Sequence, residues 1–188
     1  MSMSFLRPLL ILAIAASTAL GQSLPIPPYV QPGDGSTLEG SDVKVITWFG
    51  EGAQEPYVLE VLKDKKWLPG PAAEVLPIRP SATQEYLRYR VTLTDLPFNS
   101  EVNYRVRLLG KIVGGGKVAT RKTADQLVRF VVIGDMADGK APSKKVAWQI
   151  SQAAPDFIVG AGDIVYSKGL VSEFMSKFWP VYHCTPPG

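Results

Sequence analysis

The first two thirds of the chain contain short runs in which hydrophobic and polar residues alternate, and a period of two indicates half-buried β-strands. In the run over residues 102–108, every even position is apolar and every odd position is polar. Further strand-like runs occupy residues 43–49, 57–62 and 86–93, and a first strand is predicted near residues 29–30. Turn residues separate these runs, so this part of the chain is predicted to form an all-β sandwich.

Beyond residue 122 the apolar positions form continuous runs, which is the pattern of strands buried on both faces of a parallel sheet. Two such runs, residues 127–133 and 157–160, flank a segment with helical spacing. Pro142 suits the first turn of this helix, and Pro155 would close it. Its predicted apolar face comprises Val146, Ile150 and Ala153, with Ala147 and Ala154 beside them. The order strand, helix, strand predicts two parallel strands joined by a right-handed crossover.

A second amphipathic helix is predicted over residues 170–179, where Pro180 would stop it. The predicted fold class is therefore an all-β sandwich followed by a β-α-β-α segment. We place the sandwich domain at residues 22–124 and the α/β segment at residues 125–188.

The amino-terminal residues have the pattern of a secretory signal peptide. Arg7 supplies the positive region, residues 9–16 form a short apolar run, and Ala19 and Gly21 place small residues at the usual cleavage positions. The apolar run is too short for a stable membrane span. We predict a signal peptide over residues 1–21, so the chain is expected to be secreted or periplasmic.

The composition excludes few classes of protein. The net charge of +3 is weak and not concentrated in one patch, so a nucleic-acid partner is not expected. Cys184 is the single cysteine of the 188 residues and His183 is the single histidine, so an internal disulfide framework is excluded. Both residues stand in a Pro-rich segment and are expected to be exposed tail residues.

Two aspartates and a tyrosine follow the carboxyl ends of the two predicted parallel strands. Asp135 follows Gly134 after the first strand, Asp163 follows Gly162 after the second, and Tyr166 stands three residues further on. In an open α/β sheet this edge is where ligands bind. Carboxylate and phenol oxygens suit a hard metal ion, so these three residues are the candidate metal ligands.

The same first loop superficially fits a phosphate-binding loop. Gly134, Gly139 and Lys140 have the Gly-x-x-x-x-Gly-Lys spacing between a strand and a helix. The next residue is Ala141, whereas the motif needs a Ser or Thr hydroxyl there to hold magnesium. The carboxylates inside the loop would also repel phosphates, so nucleotide binding through this loop is not expected.

Two resemblances to known families rest on these residues. The segment over residues 93–106 resembles the end of a fibronectin type III domain, in which a leucine and a short turn precede an alternating strand. The two strand-end motifs, Gly134-Asp135 and Gly162-Asp163-x-x-Tyr166, resemble those of the metallophosphoesterase superfamily, and within it of the purple acid phosphatases. An all-β domain ahead of the catalytic domain is typical of the plant-like and bacterial members.

The resemblance implies hydrolysis of a phosphate ester at a site with two metal ions, iron together with zinc, manganese or a second iron. Asp135 would bind the first metal, Asp163 would bridge the two, and Tyr166 would bind ferric iron through its phenolate. Such metals can polarise a phosphoryl oxygen and activate a water molecule. A homodimer is an expectation for the full-length form.

The sequence also departs from the family. Met136 and Ala137 follow Asp135, so the Asp-x-His form of the first motif is absent, as in the purple acid phosphatase branch. The family's later Gly-Asn-His-Asp/Glu motif is not found in these residues, so no leaving-group histidine can be named and the chain is expected to be a truncated form. Two other readings stay open: a secreted, non-catalytic β-sandwich binding module, and an inactive pseudoenzyme. Metal retained through Asp135 and Asp163 would favour the enzyme.

Overall fold

A computed structural model describes residues 24–33, 40–81 and 83–183 of the chain. The predicted signal peptide and Cys184 lie outside the described residues. The described part comprises two four-stranded antiparallel sheets, followed by a small parallel α/β unit. The prediction of an all-β sandwich in the first part is therefore confirmed.

Eight strands build the two sheets. The strands in chain order are β1 (Ile26–Pro32), β2 (Asp42–Glu51), β3 (Tyr57–Lys63), β4 (Lys66–Pro69), β5 (Glu74–Ser81), β6 (Gln84–Leu96), β7 (Glu101–Leu108) and β8 (Lys111–Ala119). One sheet has the order β1-β2-β6-β5 and the other has the order β4-β3-β7-β8. Consecutive strands pair within one sheet as β1-β2, β3-β4, β5-β6 and β7-β8. The chain changes sheet after each pair, so the connections close the sandwich around one core.

The core of the sandwich is formed by inward-facing side chains from both sheets. Trp48 of β2 stacks on Tyr89 of β6 with 5.5 Å between the ring centroids, and Tyr104 and Val106 of β7 approach from the opposite sheet. Fully burying one such side chain contributes about 1.5–3 kcal/mol to folding. The alternating runs in the sequence correspond to these strands because each second residue enters this core.

Three strands, β4, β5 and β8, were not predicted. Strand β8 contains three consecutive glycines, which are unfavourable in strands. The fold requires Gly115, because a Cβ there would lie 2.7 Å from the carbonyl oxygen of Tyr104. Strand β5 carries Pro77 and lies at the edge of its sheet, where a proline costs no ladder hydrogen bond.

The parallel unit consists of β9 (Phe130–Ile133), α1 (Ala141–Ala153) and β10 (Phe157–Gly160). The two strands pair in parallel, with Phe157 opposite Phe130, as predicted. Strand β9 begins three residues later than predicted, because the N–H of Arg129 donates to Oδ2 of Asp156 at 2.8 Å.

Helix α1 has Pro142 in its first turn and is capped by Ala154, which follows its last residue and adopts a left-handed conformation with φ of 44°. Its buried residues are Ala147 and Ile150. Val146, which was predicted on the buried face, is 45% exposed. Ala153 and Ala154, which were predicted on or beside the same face, are also exposed, so the buried face is narrower than the sequence predicts.

The second helical segment differs from the prediction. It comprises α2 (Val171–Glu173), a π-helical turn (Phe174–Phe178) and α3 (Trp179–Tyr182). Pro180 does not stop the helix, since it occupies the first turn of α3. In the widened turn the N–H of Trp179 bonds to the carbonyl of Phe174, five residues back, and Pro180 has no N–H that the segment must satisfy.

This helical segment packs on the sandwich. The ring of Trp179 lies 4.6 Å from the ring of Tyr29, between centroids, and Met175 joins the same apolar cluster, which contains Phe49 of β2. His183 is exposed, as predicted, but its Nε2 lies 2.9 Å from the carbonyl oxygen of Pro28. Among the described residues, no helix is long and apolar enough to cross a bilayer.

Candidate metal site

Two loops of the same construction leave the carboxyl ends of β9 and β10. In each, a glycine precedes an aspartate in the left-handed conformation, with φ of 51° at Asp135 and 46° at Asp163. Aspartate tolerates this conformation better than most residues, although it still costs free energy. Strained residues of this kind cluster at functional sites, so the repeated geometry marks this sheet edge as a candidate site.

The backbone joins the two loops directly. The N–H of Met136 donates to the carbonyl oxygen of Asp163 at 3.0 Å, and the N–H of Ala161 donates to the carbonyl oxygen of Ile133 at 2.8 Å. Ala137 and Val165 then form a parallel bridge. The predicted meeting of the two Gly-Asp loops at one sheet edge is therefore observed. Asp163 belongs to this ladder through its carbonyl oxygen, and Asp135 directly precedes Met136, which donates to it.

An apolar layer supports the loops from below. Met136, Ala137 and Val165 are all buried, whereas Asp135 and Asp163 are exposed and Tyr166 is half-buried. The buried residues anchor the two loops to the core, and the two aspartates remain exposed to solvent. Tyr182 adds a further tie, because its hydroxyl donates to the carbonyl oxygen of Met136 at 3.0 Å.

The two candidate carboxylates differ from a third one in the same region. Asp138 accepts hydrogen bonds from Oγ of Ser143 at 2.5 Å and from the N–H of Lys140 at 2.9 Å. The Ser143 bond is the main reason that the pKa of Asp138 is lowered. Asp138 thus braces the start of α1, and it occupies the Lys140 N–H that a phosphate loop would offer to a nucleotide.

Asp135 and Asp163 have no such engagement. Within residues 24–33, 40–81 and 83–183, neither carboxylate has a hydrogen-bond or ion-pair partner. Carboxylate and phenolate groups are hard oxygen donors, the type of ligand that iron, manganese and magnesium accept. The donor chemistry therefore fits a hard metal ion.

The donor set is small. The described part of the chain contains no group of three or more His, Cys, Asp or Glu residues that could hold a metal ion. Asp135, Asp163 and Tyr166 offer three oxygen ligands, and hard cations take six or more. Water, substrate or other protein groups would supply the remaining ligands.

The loop that follows Tyr166 is organised by one carboxylate. Glu173 accepts hydrogen bonds from the N–H groups of Ser167, Lys168 and Leu170 at 2.6, 3.0 and 3.1 Å. Lys177 lies 3.0 Å from the same carboxylate. The Lys177 bond, with those three N–H groups, lowers the pKa of Glu173 to about 2.

Sequence reasoning missed Glu173, Lys177 and Tyr182. The spacing of Glu173 and Lys177 is i,i+4, which indicates a helical ion pair. This spacing does not indicate that the Glu173 carboxylate also accepts hydrogen bonds from the loop after Tyr166. For Tyr182 the sequence contains no signal, since its partner Met136 is 46 residues away.

Two comparisons with known proteins gave no match for this chain. The scan against protein-family models found no matching family. The search of curated proteins also found no match.

Proposed function

We propose that this chain contributes metal ligands to a phosphoric-ester hydrolase, and that Asp135, Asp163 and Tyr166 are those ligands. The observation that carries the proposal is the hydrogen bond from the Met136 N–H to the Asp163 carbonyl oxygen. This bond places the two Gly-Asp loops side by side at the carboxyl ends of parallel strands, where α/β proteins bind ligands. Both carboxylates stay unengaged by other described residues.

Each residue has a distinct role in this proposal. Asp163 would be a ligand shared by the metal ions, Asp135 would be a ligand of one of them, and Tyr166 would hold iron as a phenolate ligand. Iron with zinc, manganese or a second iron would polarise the phosphate ester and activate water when bound. The exposed position of both carboxylates leaves room for a phosphate group to approach from solvent.

The sandwich and the amino terminus complete the proposal. The strand orders β1-β2-β6-β5 and β4-β3-β7-β8 support an assignment of the sandwich to the fibronectin type III-like folds. The apolar run after Arg7 supports export. On this account the chain acts on phosphate esters outside the cytoplasm.

The test uses isothermal titration calorimetry to measure the binding of inorganic phosphate to the purified chain, with and without Mn²⁺. A phosphoesterase site binds phosphate through its metal ions, so we expect phosphate binding only in the presence of Mn²⁺. Asp163→Asn removes one ligand charge and should abolish this binding. The matched control is Asp64→Asn, an exposed aspartate of the sandwich with the same left-handed backbone, φ of 50°.

Phosphate binding that is equal with and without Mn²⁺ would contradict the proposal. Equal loss of binding in the Asp64→Asn and Asp163→Asn variants would also contradict it, because the effect would then not belong to this site.

A further inference from the structure

The residue after Tyr166 and the loop beyond it are held by Glu173. Its carboxylate receives three backbone N–H groups, those of Ser167, Lys168 and Leu170, at 2.6–3.1 Å. Hydrogen bonds to a charged acceptor are about twice as strong as those between neutral groups. One side chain thus fixes the main chain immediately on the carboxyl side of Tyr166.

Lys177 fixes Tyr166 itself and reaches the other loop. Its ammonium donates to the carbonyl oxygen of Tyr166 and lies 3.0 Å from Glu173. Its stem packs beside Gly139 of the β9–α1 loop, where a Cβ would lie 3.3 Å from the Lys177 Cγ. Gly139 also has φ of 80°, so this position favours glycine on both grounds. Lys177 therefore spans from the first Gly-Asp loop to the second.

We propose that Glu173 and Lys177 are positioning residues for Tyr166, which they hold in place for metal binding through contacts with its main chain. The inference rests on the proposed metal site, because it assigns the pair a role toward one of that site's ligands. Lys177 donates to the carbonyl oxygen of Tyr166, and Glu173 accepts from the N–H of Ser167. Both polar groups of the peptide unit that follows Tyr166 are therefore held. The phenol then departs from a Cα whose place is set by α2 and the π-helical turn.

Without the contacts of Glu173 and Lys177, Tyr166 would precede a loop that no side chain holds in place. The loop over residues 167–170 is exposed, and without Glu173 its three N–H groups would turn to water. Loss of a group that orients a metal ligand typically lowers metal affinity about 10–100-fold. Such a loss is the effect expected here.

The experiment titrates Fe³⁺ into the full chain and follows the visible charge-transfer absorption of an iron–phenolate. The variants are Glu173→Gln, Lys177→Met and the conservative Lys177→Arg. Lys177→Met keeps the stem that packs near Gly139 and removes the charge. The matched control is Glu101→Gln, which breaks a surface ion pair of similar length, 2.9 Å to Lys117, on the sandwich.

The proposal predicts a shifted or weakened absorption and an iron affinity about 10–100-fold lower in Glu173→Gln and Lys177→Met. It predicts partial recovery in Lys177→Arg and no change in Glu101→Gln. Absorption and affinity unchanged in both disrupting variants would overturn it.

Amide hydrogen exchange at residues 167, 168 and 170 separates this failure from failure of the proposed function. Faster exchange in Glu173→Gln with an unchanged iron spectrum would mean that Glu173 holds the loop over residues 167–170, here called the Glu173 clamp, without positioning Tyr166. That result overturns the positioning role and leaves the proposed function standing. If the unaltered chain gives no iron–phenolate absorption, the proposed function fails and the positioning role fails with it.

Discussion

The backbone N–H of Met136 donates a hydrogen bond to the backbone carbonyl oxygen of Asp163, with 3.0 Å between nitrogen and oxygen. Met136 follows Asp135 directly, so this one bond anchors both candidate metal ligands to the same ladder. Because it joins main-chain atoms, side-chain substitutions at Asp135 or Asp163 should leave it in place. Variants at these positions therefore report on ligand chemistry more than on folding.

Asp42→Asn should destabilise the sandwich at neutral pH. The Asp42 side chain is buried and accepts hydrogen bonds from the N–H groups of Arg121 at 2.6 Å and Val43 at 2.9 Å. An asparagine would turn an amide donor toward one of these donors, at a cost of about 1–3 kcal/mol. Urea denaturation at pH 7 measures the loss, and Asp95→Asn, at an exposed position near the end of β6, serves as the control.

The effect of Asp42 depends on pH. Burial alone would raise its pKa, but the hydrogen bonds from Arg121, Lys44 and Val43 outweigh burial, and the pKa is lowered. A carboxyl with a folded pKa below its unfolded value of about 3.9 stabilises the fold above that pH and loses this contribution as the pH falls through the folded pKa. The difference between Asp42→Asn and the unaltered chain should shrink below pH 4. A difference that is constant from pH 7 to pH 3 would refute this.

Gly115→Ala should destabilise the sandwich through backbone overlap. The added Cβ would lie 2.7 Å from the Tyr104 carbonyl oxygen and 3.1 Å from the Arg105 Cα. Main-chain atoms in a paired strand yield little, so the expected cost is about 1–3 kcal/mol, as for other overpacked sites. Thermal unfolding measures it, and Lys117→Ala on the same strand should leave the melting temperature nearly unchanged. Equal melting temperatures for both variants would contradict the account of β8.

Trp179→Ala should loosen the helical segment from the sandwich. Its ring packs on Tyr29 with 4.6 Å between centroids and belongs to the cluster around Phe49. Because Trp179 is only half-buried, we expect a loss of about 1–2 kcal/mol, less than the 3–5 kcal/mol of a fully buried tryptophan. Hydrogen exchange over residues 171–182 should rise more than over β6. Leu170→Ala, at an exposed position, is the control, and equal exchange in both variants would argue against the contact.

One face of the small parallel sheet is predicted to promote self-association. Phe130, Val132, Phe157 and Val159 lie on this face in register and are each 42–58% exposed. Exposed apolar patches of this kind are aggregation liabilities. Val132→Lys should lower the light scattering of concentrated solutions, whereas Val58→Lys on the sandwich should change it less. An equal change in light scattering from both substitutions would contradict a specific role of this face in self-association.

The sequence predicted those parts of the fold that depend on local patterns. The strand over residues 102–108 was predicted because its even positions enter the core. Strand β8 was missed because close approach of other backbone selects glycine at Gly115, and this cause is visible only in three dimensions. Likewise, Pro180 indicates a helix end in the sequence, while a π-helical turn allows the helix to continue through it.

The same distinction applies to the site. The meeting of the Gly134 and Gly162 loops could be predicted because parallel strands bring their carboxyl ends to one edge. The clamp of Glu173 on the following loop could not, because it depends on how α2 folds back over residues 167–170. Long-range contacts of this kind have no periodic signal in the sequence.

The most direct test of the central claim is a calorimetric titration of Mn²⁺ into the unaltered chain and into Asp135→Asn, Asp163→Asn and Asp64→Asn. The account predicts saturable binding to the unaltered chain and to Asp64→Asn, with affinity reduced at least about 10-fold in the other two. Binding that is absent from the unaltered chain, or that survives unchanged in both Asp135→Asn and Asp163→Asn, would contradict it.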